Sequence, residues 1–181
     1  MHKRLWDVLL IPDAFSEDDC NTIMYVMSKT PLDPAKVRGE SGPTSDRVSN
    51  VKFISYDPDL WIFQKLGQVV NTVNPQTFKF DLNSWFDEGF QYTQYPEGGY
   101  YRWHTDIGDG PTEYRKLSVV LQLNDDYEGG QLQFFPAKFD VPKKKGMVAV
   151  FPSYMPHSVT PVTKGTRYSL VTWVSGPTPF V

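Results

Sequence analysis

The sequence of 181 residues contains a single cysteine, Cys20. No internal disulfide can form, and a reducing, cytoplasmic setting is expected. Long hydrophobic runs are missing as well. Unbroken apolar stretches such as Val8-Leu9-Leu10-Ile11 and Met147-Val148-Ala149-Val150-Phe151 fall far short of the roughly 20 residues that span a bilayer. Residues 1–6 include basic side chains but no apolar segment and cleavage site follow, so no secretory signal is expected. Positive charge is not in excess. The 18 Lys and Arg face 21 Asp and Glu, a net charge of −3, which lacks the basic surplus of a dedicated nucleic-acid binder and leaves room only for a local basic groove. Histidine is sparse, with three in the chain. What is present suits one globular domain over residues 1–181: hydrophobic residues make up 40% and charged residues 22%. A disordered tail, a coiled coil and a collagen-like fibre are excluded. Aromatics at 15% and 15 prolines point to a β-rich, turn-rich chain rather than a helix bundle.

The first third mixes strand and helix. Residues 7–11 read as a short apolar strand stopped by Pro12. Ser16-Glu17-Asp18-Asp19 reads as a helix start, because the serine can accept from a free backbone N–H and the acids suit the positive end of the helix dipole. Cys20, Ile23, Met24 and Met27 follow at helical spacing and carry that helix to about Lys29. Residues 31–50 hold three prolines and two glycines among small polar residues. They read as a long loop, either a plain surface excursion or a lid that closes over a bound substrate. A strand over 51–55 and a helix over 58–74, capped by Asp57 with Pro58 at its first position, come next. From Thr77 onward the pattern is strands with turns. The expected strands are 78–81, 89–95, 100–105, 115–123, 131–135, 147–151, 157–159 and 167–173. Short strands at close spacing indicate a sandwich or barrel.

His104 and Asp106 are two residues apart, which on a strand sends both to one face. An imidazole and a carboxylate there can converge on one ion. His157 comes after several strands that can return the chain to the same place, and two histidines with one carboxylate form the facial triad of non-heme Fe(II) oxygenases. Taken alone, His-x-Asp is equally a polar pair on a strand edge. Arg167 lies across a turn from His157, and its fork of donors suits a carboxylate. A metal with open positions and an arginine beyond it describe a receptor for a 2-oxo diacid.

Three blocks carry a resemblance. Tyr95-Pro-Glu-Gly98-Gly-Tyr-Tyr101-Arg-Trp-His104-Thr-Asp106 resembles the Tyr-x-x-Gly-x-x-Tyr-x-x-His-x-Asp motif of prolyl 4-hydroxylase-type 2-oxoglutarate/Fe(II) dioxygenases. The run from Arg115 to Glu128-Gly129-Gly130 resembles the family strand that follows and its turn. The run from His157 to Arg167 resembles the third block, in the form of the bacterial and viral branch. The match covers about residues 90–176. It implies a mainly β fold with supporting helices (α+β), the double-stranded β-helix or jelly roll. It implies Fe(II) on His104, Asp106 and His157, and 2-oxoglutarate on Arg167 with Tyr95 as a hydrogen-bond partner. Tyr101, Arg115 and Trp173 match positions that contact substrate. O2 is the further cosubstrate implied, with ascorbate binding as an accompanying feature.

The family chemistry hydroxylates a C–H bond and releases succinate and CO2. A proline in an extended peptide or protein is the expected substrate: Trp173 and Tyr101 can flank a pyrrolidine ring, and Arg115 can donate to a neighbouring carbonyl. A free amino acid, an alkylated nucleobase and a non-enzymatic jelly-roll binding module stand as alternatives. There are departures from the family pattern. Gln122 stands where many relatives carry tyrosine, and residues 131–136 differ from the commonest sequence. Tyr95 and Tyr101 have the wrong parity to share a regular strand face with His104. The break at 96–99 resolves this for Tyr95, whereas Tyr101 requires a bulge or a strand end.

Overall fold

The computed structural model describes residues 3–5, 8–36, 45–57, 59–136 and 139–180. The chain opens with β1 (Lys3–Leu5) and β2 (Val8–Ile11), then α1 (Glu17–Ser28). Ser16 caps this helix as its sequence promises. Its hydroxyl accepts from the Asp19 N–H while the Asp19 carboxylate accepts from the Ser16 N–H, a reciprocal box that satisfies two free donors. Next come β3 (Asp33–Pro34), β4 (Arg47–Val48) and β5 (Asn50–Ile54), followed by α2 (Trp61–Val73).

Two expectations are corrected here. The stretch 31–50 is not one loose loop. Its two ends are stitched down, β3 along β5 and β4 along β7, and residues 37–44, the heart of the expected lid, lie outside the described residues. The second helix begins at Trp61 rather than 58, with Leu60 at its N-cap. Asp57 instead accepts from the Asp59 N–H in a local turn before the helix.

A π-helical turn over Asn74–Phe78 follows α2, and the expected strand over 78–81 does not form. The Asn74 side chain explains this, since it both accepts from the Phe80 N–H and donates to the Phe80 carbonyl. It takes up the backbone groups that a ladder would need. The remaining strands are β6 (Ser84–Tyr95), β7 (Tyr100–His104), β8 (Arg115–Gln122), β9 (Glu128–Gly129), β10 (Leu132–Phe134), β11 (Phe139–Asp140), β12 (Val148–Pro152), β13 (His157–Val159), β14 (Val162–Lys164) and β15 (Arg167–Ser175).

The larger sheet runs β1-β2-β12-β8-β15-β6-β5-β3 and the smaller runs β11-β10-β13-β7-β4. Every pairing is antiparallel. Side-chain alternation sorts the larger sheet into two faces. Leu117, Val119, Leu121, Val148, Val150, Phe90 and Leu170 pack with Ile23, Phe63, Leu66 and Val70 of the helices. Val120, Ala149 and Phe151 face the other way and pack with Leu132, Phe134 and Val159 of the smaller sheet. The order is therefore helices, large sheet, small sheet, the double-stranded β-helix with helical support that the sequence predicts. No described helix is long and apolar enough to cross a membrane.

Candidate active site

The open end of the space between the sheets holds a cavity of about 580 Å³. Its floor is built from β7 and β13, which place His104 directly opposite His157. The next matched pair is Tyr101 with Val159, so three steps on β7 face two on β13. That is the bulge that Tyr101 requires, and it turns the tyrosine to the histidine face. The Tyr101 and His104 rings lie stacked with centroids 3.5 Å apart.

Both imidazoles are fixed in the same way. His104 Nδ1 lies 2.8 Å from the Arg102 carbonyl and His157 Nδ1 lies 2.9 Å from the Met155 carbonyl. A carbonyl can only accept, so each Nδ1 carries a proton and Nε2 is the ring nitrogen left to ligate. Those two Nε2 atoms point at one carboxylate, 3.7 Å and 3.5 Å from the two oxygens of Asp106. One ligand atom from each of the three residues falls within 4.8 Å of the others. Three donors of this kind with no protein group between them fit a divalent metal bound on one side.

Asp106 comes from the chain just after β7 but is held by the opposite sheet. Its N–H donates to the Ser153 carbonyl at 2.9 Å, and its carboxylate accepts from the Ser118 hydroxyl at 2.7 Å. Ser118 and Ser153 hydroxyls lie 3.0 Å apart. Burial works against ionisation of Asp106, but His157, His104, the Ser118 hydroxyl and Arg115 hold its carboxyl below the usual value. Burial, reinforced by His157, pushes the His104 imidazole down to about 4, against the pull of Asp106. An ionised Asp106 carboxylate beside a neutral His104 imidazole is the ligating state of both.

Arg167 starts β15 and reaches the same cavity from the larger sheet. It is 1% exposed. One terminal nitrogen donates to the Ser169 hydroxyl at 3.3 Å, while Nε has no partner. Tyr95 is its cross-strand neighbour, with the guanidinium carbon 5.2 Å from the ring centre. Trp173 lies further along β15 on the same face. Its indole N–H is buried without a partner. Arg115 stacks on the Trp173 ring at 3.8 Å and is largely committed elsewhere. It is paired with Glu88 through two nitrogens, and it donates to the Asp106 carbonyl at 2.9 Å.

The residues singled out from sequence thus line one cavity: His104, Asp106, His157, Arg167, Tyr95, Tyr101, Arg115 and Trp173. Several neighbours escaped that reading. Arg47 of β4 is 8% exposed, lies over the Tyr101 ring at 4.7 Å and bonds Ser49 at 2.7 Å, leaving Nη2 unpartnered. It sits within a stretch read as loop, where no periodicity marks it. Glu88 is likewise invisible without the fold. Ser118 carried a usable sign: a small polar residue inside Leu117-Ser118-Val119-Val120-Leu121 must turn inward to something polar.

Facing sheets form a double-stranded β-helix, and the two-histidine, one-carboxylate cluster between them has the donor set for one divalent metal ion. Residues 90–175 match the model of the 2OG-Fe(II) oxygenase superfamily. That superfamily uses Fe(II), 2-oxoglutarate and O2. A PKHD-type hydroxylase of Alteromonas mediterranea is 35% identical over 94 residues, 46% of this chain and 41% of the relative. The chain spans half or less of the length of the curated relatives it matches. Among solved structures, a Pseudomonas putida prolyl-4-hydroxylase is similar with a TM-score of 0.74 and 24% identity, over 95% of this chain and 94% of that one. A Trichoplax adhaerens prolyl hydroxylase, in complex with a hypoxia inducible factor oxygen degradation domain peptide fragment, gives 0.77 and 16%, over 93% and 83%. These two likenesses concern the fold.

Proposed function

We propose that this chain is an Fe(II)- and 2-oxoglutarate-dependent dioxygenase that hydroxylates a prolyl residue within a peptide or protein. One observation carries the reading furthest. The buried side-chain nitrogens without a partner, among the described residues, are Arg47 Nη2, Arg167 Nε and Trp173 Nε1. All three side chains line the cavity that holds the His-Asp-His cluster. Each is a donor, and a buried donor left unpaired costs about 1–3 kcal/mol. A cavity bounded by such donors is complementary to a ligand set rich in oxygen acceptors.

The three donors are spread, which calls for more than one acceptor group. Arg167 lies deepest and takes the distal carboxylate of 2-oxoglutarate. His104, Asp106 and His157 hold Fe(II), which with 2-oxoglutarate and O2 supplies the oxidising chemistry and yields succinate and CO2 as coproducts. Arg47 and Trp173, near the mouth, face the substrate. The Tyr101 ring on one side and the Trp173 ring on the other form apolar walls for a pyrrolidine, and the two free N–H groups suit the carbonyls that flank it. Arg115 and Glu88 lock one another in place, so Arg115 shapes the wall and holds the Asp106 backbone. That the similar proteins are hydroxylases, and the similar solved structures prolyl hydroxylases, supports the same reading.

The test is anaerobically loaded Fe(II) protein given 2-oxoglutarate, O2 and a panel of proline-containing peptides. Succinate release coupled to a peptide mass gain of one oxygen is expected. Turnover coupled only to free amino acids or to alkylated nucleobases would overturn the substrate class. No iron-dependent conversion of 2-oxoglutarate under any condition would leave the binding-module reading.

A further inference from the structure

Gln122 ends β8 at a place that faces the inner side of the larger sheet, and it is 2% exposed. Its amide orientation is dictated. Nε2 donates to the Pro142 carbonyl at 2.8 Å, and a carbonyl has no proton to give, so the NH2 side must point there. Oε1 is thereby turned toward the Tyr127 hydroxyl, which donates to it at 3.1 Å. The single proton of that hydroxyl is used by this bond. Its lone pairs remain available to a donor, and the Arg167 guanidinium is close enough for its charge to act on this phenol. Burial raises the Tyr127 phenol above its ordinary value while Arg167 pulls it back, so the hydroxyl keeps its proton at neutral pH.

The turn after β8 is shaped to bring these groups together. Gly130 has a φ of +61°, and a Cβ there would sit 3.0 Å from the Tyr127 ring and 3.3 Å from Arg167 Cδ. The absence of a side chain lets the tyrosine and the arginine stem pack on the same spot. The Lys143 ammonium donates to the Tyr127 carbonyl at 3.0 Å and holds the backbone of the turn. Among the described residues Ser169 is the one side chain that Arg167 donates to, and a long side chain with one weak tie has rotamers to lose when a ligand arrives.

We infer that Pro142, Gln122 and Tyr127 form a one-directional hydrogen-bond relay that positions the Arg167 fork for the distal carboxylate of 2-oxoglutarate. The inference rests on the function proposed above. Tyr127 is a positioning residue: its proton points away from the ligand, and it acts through Arg167. The relay also gives Gln122 a role different from a direct contact, because its amide is spent on Pro142 and Tyr127.

The experiment is calorimetric titration of the Mn(II)-loaded protein without O2, using two ligands. One is 2-oxoglutarate. The other is 2-oxopentanoate, which has the same keto-acid head and chain length but lacks the second carboxylate. Tyr127→Phe is expected to weaken 2-oxoglutarate about tenfold, in line with loss of one hydrogen bond to a charged group. It should change 2-oxopentanoate and Mn(II) affinity less than about twofold, since neither uses the fork. Gln122→Met keeps the volume and removes the acceptor. It should show the same selective loss and carries the test where Tyr127→Phe fails to fold. Equal loss for both ligands would make the relay merely structural, and unchanged 2-oxoglutarate affinity in both variants would also overturn it. Absence of 2-oxoglutarate binding by the unsubstituted protein would overturn the proposed function itself, a result seen before any variant is made.

Discussion

Replacing Arg167 with methionine should separate stability from ligand binding. The guanidinium is 1% exposed, and among the described residues no carboxylate pairs with it. Burying a charge without a counter-ion is costly, and exchanging a buried ionic group for an apolar one of similar volume is often neutral or stabilising by about 1–4 kcal/mol. Methionine is long, unbranched and able to fill the vacated path. One hydroxyl, on Ser169, loses its partner at about 1 kcal/mol. The ligand-free variant is therefore expected between about 1 kcal/mol less and about 3 kcal/mol more stable, a melting temperature from about 4 °C lower to about 12 °C higher at this chain length.

Ligand favours the unsubstituted protein. With 2-oxoglutarate at 100 times its dissociation constant, the unsubstituted Mn(II) protein gains about 2.7 kcal/mol. Removing the charged partner of a buried carboxylate costs about 2–5 kcal/mol, at least thirtyfold in affinity. At the same ligand concentration the variant then gains less than about 1 kcal/mol. Differential scanning calorimetry of both proteins, with and without ligand, reads all four values. A ligand-free variant that loses more than about 2 kcal/mol yet keeps the full ligand-induced shift would refute the reasoning. It would make Arg167 a structural residue.

Three further outcomes are expected. His157→Ala removes one of three metal ligands, and titration should show loss of stoichiometric Fe(II) or Mn(II) binding; near-wild-type occupancy would exclude His157 as a ligand. Ser118→Ala deletes the hydroxyl that donates to Asp106 at 2.7 Å, and divalent-metal affinity should fall about tenfold while the melting temperature stays nearly constant. Gly129→Ala places a Cβ 2.2 Å from the Pro161 carbonyl at a φ of +69°. Its thermal unfolding should report a loss of about 3 kcal/mol or more, and a loss below about 1 kcal/mol would show that the turn can relax.

What the sequence made legible follows from the range over which each signal acts. The first helix is a local event, so Ser16, Asp19 and the spacing of Cys20, Ile23 and Met27 suffice to place it within a residue at each end. Leu117, Val119 and Leu121 alternate with Ser118, Val120 and Gln122, so β8 is legible as a strand with two faces. The grouping of the three side chains was legible because His104 and Asp106 carry their spacing with them and the motif blocks supply His157. The second helix was placed too early because Asp57-Pro58 resembles a cap, whereas Asp57 spends its carboxylate on a turn. The strand expected at 78–81 failed because a side chain, Asn74, took its backbone partners.

The rest of the site was hidden because it is made by pairing across distance. β4 has two residues, and its identity as a strand exists only against β7, where Arg47 faces Tyr101. Nothing in a polar stretch with three prolines signals that pairing. The bulge opposite His157 is a property of two strands, not of either one. It decides whether Tyr101 stacks on His104 or turns away from it, and the parity of the single strand gives the wrong answer. The same holds for Gln122. Read along its own strand it is a departure from the family pattern. Read across the turn at Gly130 it becomes the acceptor that fixes Tyr127, and through Tyr127 the arginine that sequence spacing had already brought to the cavity.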